Sequence, residues 1–165
     1  MKVTRAGFGD NMQVLKIKKV KENAKIPERA TSGSAGIDLC ACIDEPITLV
    51  GGDTALVPTG IAIALPSAEY GAFVFPRSGI SVKHGIGLLN SVGVIDSDYR
   101  GEIMVGLINQ IDKAYTIQPG ERIAQLVVMP VVPMPIEEVA QLDGTERGDG
   151  GFGSTGKVEN ESAKE

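Results

Sequence analysis

Apolar and polar positions along this chain alternate in short runs. Leu15 and Ile17 alternate with Lys16 and Lys18, and Ile61, Ile63 and Leu65 alternate with Ala62 and Ala64. Phe73 to Phe75, Ile103 to Ile108, Tyr115 to Ile117 and Ile123 to Met129 are further runs of β-branched or aromatic character. Thr48 to Val50 leads into Gly51-Gly52-Asp53 and then Ala55 to Val57, the pattern of a hairpin. Prolines at 46, 58, 66, 76, 119 and 130 punctuate these runs and argue against long helices. The best helical stretch is Ile136 to Leu142, with Ile136, Val139 and Ala140 at helical spacing, and it makes only about two turns. Short strands at turn-limited intervals predict an all-β sandwich or barrel. No internal repeat is present.

Composition narrows the function. At 165 residues the chain fits one domain with a workable core. The net charge of −5, without a basic block, excludes the electrostatic footprint needed for a nucleic-acid polymer. One histidine, His84, and two cysteines cannot build a His-rich or Cys-rich zinc site. Cys40 and Cys42 stand two apart, on one face of a strand, and read as small buried side chains. His84, beside glycines in KHGIG, reads as a loop or strand-edge residue. No apolar run approaches the roughly 18–20 residues of a membrane span. Met1 to Asn11 lacks the apolar stretch of a secretory signal, so a cytoplasmic location is expected.

After Leu142 the pattern changes. Asp143 to Glu165 holds six glycines and a polar end, so it buries little apolar area and is expected to be mobile when alone. Phe152 stands in its middle, a large ring suited to closing onto something. Gly148, Gly150 and Gly153 satisfy the dinucleotide-binding glycine pattern, but a turn precedes them and only 12 residues follow. Gly151 to Lys157 mimics a P-loop, with Val158 where a Ser or Thr is required. What survives is general: backbone N–H groups with Arg147, Ser154 and Thr155 suit phosphate oxygens.

Four more clusters carry chemistry: AGIDL with Asp38, PRSG with Arg77, Ser78 and Gly79, NSVGVIDSDYRGE from Asn90 to Glu102, and GERIAQL with Arg122 and Gln125. Asp98 and Glu102 read as solvated or paired with Arg100. Together with RGDGGFGSTG, these segments resemble the trimeric dUTP diphosphatase (dUTPase) family, in the family's order from Ala35 to Gly156. The second motif reads RSGIS, with Gly79 where some relatives carry another serine; the backbone contact is unaffected.

The resemblance implies a distorted jelly-roll β-barrel over residues 12–142, a flexible glycine-rich arm over 143–165 with its closing motif at 147–156, and disorder over 1–11. It implies hydrolysis of dUTP to dUMP and pyrophosphate, limiting uracil in DNA and supplying dUMP for dTMP synthesis. Mg²⁺ would sit on the triphosphate, and a homotrimer would share its sites between subunits. Asp96 would be the water-activating carboxylate. Asn90 and the backbone around Val94, Ile95 and Met104 would receive uracil, and Tyr99 would pack against the deoxyribose. Arg77, Ser78, Gly79 and Gln125 would contact the phosphates, while Asp38 would help place a magnesium-bound water. Arg147, Phe152 and Gly153 would come from a neighbouring subunit's arm.

The chemistry is coherent on its own terms. A −5 protein must gather local positive charge for a triphosphate, and Arg77, Arg147 and backbone amides supply it. In-line attack at the α-phosphorus needs a positioned water. An aspartate is too weak a base to hold a fully removed water proton at low cost, so Asp96 is expected to orient water and take the proton late. Two other readings use the same residues: a dCTP deaminase-like enzyme, and a non-catalytic nucleotide-binding β-barrel trimer. The Asp-Tyr hairpin and the Arg147–Phe152 tail favour the diphosphatase.

Overall fold

The structure, a computed structural model, describes residues 13–151. The chain divides into two units, Met1–Pro133 and Met134–Glu165. The described part of the first holds eleven strands and one helix. In chain order these are β1 (Lys16–Lys19), β2 (Ile37–Cys40), β3 (Ile47–Leu49), β4 (Thr54–Pro58), β5 (Ile61–Ala64), β6 (Tyr70–Pro76), α1 (Ser78–His84), β7 (Ile86–Leu88), β8 (Gly93–Ile95), β9 (Met104–Asn109), β10 (Tyr115–Ile117) and β11 (Arg122–Pro130).

The strands form four antiparallel sheets, in the orders β2-β11-β6-β8, β4-β9-β7, β1-β5 and β3-β10. The all-β class is as expected, but no described sheet closes into a ring. The strands are short, three to nine residues, and β4, β6 and β11 each end at a proline, which has no N–H to extend a ladder. The expected hairpin from Thr48 to Val57 keeps its turn, with Asp53 N–H donating to Val50 O at 3.0 Å. Its arms go elsewhere: β3 pairs with β10 and β4 with β9.

Alternation follows the burial of one face per strand. In β9, Val105, Leu107 and Asn109 are buried while Met104 is exposed. The core gathers Leu39, Val57, Ile61, Val105, Leu107, Ile117, Ile123 and Leu126 from six strands. Asn109, like Thr59, is polar and buried, and needs partners. Its amide donates to Leu49 O and Lys113 O, both at 2.9 Å, and accepts from Ile111 N at 3.1 Å.

Helix α1 replaces the loop or strand edge expected around His84. It buries Ile80, ends at Gly85 with φ 67°, and places Lys83 and His84 at its negative C-terminal end. His84 packs on Tyr115 with ring centroids 4.8 Å apart. In the second unit, Ile136 to Leu142 forms no helix. Ile136 is fully exposed and Leu142 nearly so, leaving two turns without the burial that a short helix requires.

Candidate functional site

A cavity of about 240 Å³ opens against β6, β7, β8 and β9. Its lining includes six of the predicted residues: Asn90, Val94, Ile95, Asp96, Tyr99 and Met104. Local sequence accounts for the arrangement. Ser91 adopts φ 62°, a turn in which Ser91 N–H donates to Leu88 O at 3.1 Å and presents Asn90 between β7 and β8. Strand β8 then pairs with β6, Val94 opposite Phe73 and Ile95 opposite Ala72. A Cβ at Gly93 would lie 3.1 Å from Val74 Cβ, so this pairing is close because residue 93 has no side chain. Period-two alternation buries Ile95 and leaves Val94 66% exposed, with Tyr99 and Met104 also open. Exposed apolar side chains around a concavity suit cover by a ligand's apolar face.

The segment beyond β8 is laced to itself. Tyr99 N–H donates to Asp96 O at 3.2 Å, and the Tyr99 hydroxyl donates to Glu102 O at 3.0 Å. Arg100 donates to Ser97 O at 2.7 Å and Tyr99 O at 2.8 Å. Neither Asp98 nor Glu102 pairs with Arg100; Asp98 is exposed, the solvated alternative, while Glu102 is not. Backbone carbonyls lie within the guanidinium's reach, and the Glu102 carboxylate turns to Gly60 N–H at 2.7 Å and Lys21 Nζ at 3.7 Å. The Asp96 carboxylate is exposed and meets no donor among the described residues.

A second cluster forms on β2 and β11. Asp38 Oδ1 accepts from Arg77 Nε at 2.7 Å, and Oδ2 accepts from Arg122 Nη1 at 3.1 Å. Arg77 also donates to Arg122 O at 3.1 Å, while Gln125 donates to Pro76 O at 2.9 Å. A bulge makes this possible. Gln125 pairs with Asp38 and Ala124 with Leu39, but Arg122 then pairs with Cys40, so one residue of β11 is absorbed. Ile123 and Ala124 both turn inward, and Arg122 emerges on the same face as Gln125 and Asp38. Sequence reasoning singled out Arg122 but gave it no role; its reach to Asp38, 84 residues away, left no local signal. Ser78 and Gly79 open α1 and are exposed.

The cavity lining includes none of Asp38, Arg77, Ser78, Gly79 or Gln125, so the predicted residues stand in two groups. Arg147 belongs to the second unit, where its Nε donates to Gly150 O at 2.8 Å beside Gly148 at φ 54°. Phe152 and Gly153 lie outside the described residues. Cys42 is buried and Cys40 half-buried, and burial pushes both thiols up. Burial and a hydrogen bond to Glu121 push Tyr115 up to about 12.

Known proteins match this chain closely. The family model for dUTPase matches residues 22–156. A deoxyuridine 5'-triphosphate nucleotidohydrolase of Paraburkholderia phymatum is 51% identical over 143 residues, covering 87% of this chain and 97% of its own. The protein of the same name from Escherichia coli O9:H4 is 50% identical over 139 residues, covering 84% and 92%. Among solved structures, the Staphylococcus bacteriophage 80alpha dUTPase with dUPNHPP superposes with a TM-score of 0.78 at 28% identity, over 87% of this chain and 99% of that one. No helix among the described residues is long and apolar enough to cross a membrane.

Proposed function

The chain belongs to the dUTPase family, and on that premise we propose that it hydrolyses dUTP to dUMP and pyrophosphate, with Asp96 orienting the attacking water. The observation that carries this reading is the cavity, which sets Asn90, Val94, Ile95, Tyr99 and Met104 around an exposed aspartate that engages no donor among the described residues. A uracil ring would lie along β8, its polar edge facing the backbone and Asn90, its faces against Val94 and Met104. Hydrogen-bonded selection of this kind rejects a mismatched base more strongly than a methylene-sized change in an apolar pocket. Asp96, at the cavity wall, would hold a water in line with the leaving pyrophosphate and accept its proton as the new P–O bond forms.

Arg77, with Ser78, Gly79 and Gln125, would bind the phosphate chain. Arg77 is aimed by Asp38 and Arg122 O, leaving its second terminal nitrogen for a phosphate oxygen. Gly79 has no neighbour within 4 Å of a would-be Cβ, so the approach to this backbone is open. Magnesium fits this donor set only through the substrate. No three His, Cys, Asp or Glu side chains gather among the described residues, and the phosphates would hold the ion. Asp38 retains a lone pair on each oxygen after binding its two arginines and can accept from a metal-bound water. Bound there, the ion would neutralise charge on the leaving pyrophosphate.

The separation of the cavity from the Arg77 cluster supports a homotrimer in which a neighbour supplies the phosphate half of each site. Residues 147–156, with Arg147, Phe152 and Gly153, would close over it from a neighbouring subunit. A jelly-roll arrangement of the sheets, a cytoplasmic location and a role in limiting uracil in DNA while supplying dUMP complete this reading. Asp96→Asn should lower pyrophosphate release from dUTP by about 10²–10⁴-fold with nucleotide binding retained. Undiminished release would sink the assignment, and ammonia released from dCTP would replace it with a deaminase.

A further inference from the structure

We infer that Glu102 is a positioning residue that sets the sugar-side wall of the cavity, and with it the preference for deoxyribose over ribose. The inference rests on the dUTP-hydrolysing reading and on a chain of contacts lying behind the reacting groups. At the cavity, the Tyr99 ring is folded over its own hairpin. A Cβ on Gly101 would lie 2.3 Å from the Tyr99 hydroxyl and 2.5 Å from Cζ, so ring and backbone are in direct contact. The hydroxyl spends its proton on Glu102 O at 3.0 Å. The ring therefore stands where the backbone at 101–102 stands.

That backbone is held from behind. The Glu102 carboxylate accepts Gly60 N–H at 2.7 Å across 42 residues. Next to it, Ile103 N–H donates to Ile61 O at 2.8 Å, and Thr59 donates to Ile103 O through Oγ1 at 2.7 Å. The turn that receives these bonds has little freedom. Gly60 is buried at φ 70°, its carbonyl accepts Val20 N–H at 2.8 Å, and a Cβ there would lie 2.5 Å from Ala24 Cβ and 2.6 Å from Cys42 Sγ. Glu102 thus connects a rigid turn, through its carboxylate, to the Tyr99 hydroxyl, through its own carbonyl. Its side-chain bond is the link that a substitution can remove without disturbing a backbone pairing. Lys21 adds only a partly exposed counter-charge at 3.7 Å.

A wall held at a fixed distance discriminates by shape: deoxyribose fits, and a 2′-hydroxyl does not. Freed from Gly60, residues 101–102 and the Tyr99 ring gain room to withdraw. The test compares kcat/KM for dUTP and UTP, read as pyrophosphate release, in the full-length protein. Glu102→Ala should lower the dUTP-to-UTP ratio about tenfold, the effect of one ordinary hydrogen bond. Glu102→Gln, whose amide oxygen can still accept from Gly60, should keep the ratio within about threefold of the parent. A purely structural role would depress both substrates alike and leave the ratio where it was.

An unchanged ratio in a folded Glu102→Ala protein would overturn the inference, as would a Glu102→Gln protein that loses as much as the alanine variant. Where Glu102→Ala does not fold, Tyr99→Phe removes the other end of the link. It should lower the ratio too, and a parental ratio there would equally overturn the inference. The underlying reading fails separately: it falls if the parent protein releases no pyrophosphate from dUTP.

Discussion

Replacing Asp38 by asparagine tests how Arg77 is held. The carboxylate takes Arg77 Nε at 2.7 Å and Arg122 Nη1 at 3.1 Å, one arginine on each oxygen. An amide of the same shape keeps one acceptor and turns an NH₂ group toward the other guanidinium. Hydrogen bonds to charged groups contribute about 1.5–3 kcal/mol and neutral ones about 1 kcal/mol. The Arg77 pair, with side chains 23% and 20% exposed, should therefore lose about 1–2 kcal/mol. Arg122 is 56% exposed, and solvent screening limits its share to about 0.2–1 kcal/mol. The sum, about 1–3 kcal/mol, corresponds to a fall in Tm of roughly 3–10 °C for a domain of this size. Arg77 keeps its bond to Arg122 O at 3.1 Å, so the fold should persist while the guanidinium loses its aim. Steady-state assays with dUTP should then show KM raised about tenfold, with a smaller change in kcat. Thermal unfolding at fixed protein concentration supplies the first measurement. A Tm within about 1 °C of the parent together with an unchanged KM would refute the reasoning.

Two further outcomes follow from other parts of the structure. Gly60→Ala would force a side chain into a left-handed residue and against Ala24 and Cys42, at about 1–2 kcal/mol for the backbone and about 1–3 kcal/mol for overpacking; a urea midpoint equal to the parent's would contradict this. The Tyr115 hydroxyl, followed by phenolate absorbance, should ionise at about 12. Its folded value is raised, so the stability it contributes is fully present below the unfolded value near 10 and is lost as pH rises from there to about 12. Glu121→Gln should bring that ionisation down, whereas a Tyr115 ionisation unmoved by this substitution would rule the arrangement out.

Much of the fold is legible in the alternation because one strand face is buried. Val105, Leu107 and Asn109 mark the buried face of β9 in this way; β5, where Ala62 is buried along with Ile61 and Ile63, and β11, in the run from Ile123 to Met129, are read from apolar content. Strands β7 and β8 are three residues each and broken by glycine, so they leave too short a pattern to read. Helix α1 depends on the burial of Ile80 and the left-handed Gly85, both settled by the neighbouring sheets, and Ile136 to Leu142 shows the converse. Helical spacing without a surface to bury against yields no helix. The cavity residues were readable because Asn90 to Met104 lie close in sequence and one turn gathers them. Glu102 was misread for the opposite reason. Arg100 is its nearest cation along the chain, but the N–H that engages it belongs to residue 60.

The bulge in β11 reconciles two demands that an even ladder would set against each other. The core requires Ile123, Ala124 and Leu126 inward, while the Asp38 face requires Arg122 and Gln125 outward, an out-in-in-out-in order. Strict alternation at this length could satisfy one demand or the other. The irregularity also acts as a register lock: for β11 to slip by one residue along β2, the extra residue would have to migrate with it, and every side chain beyond would change faces. A redesign that straightened this strand would make its pairing more regular and would cost the arginine its position beside Asp38 or the core one of its most buried side chains.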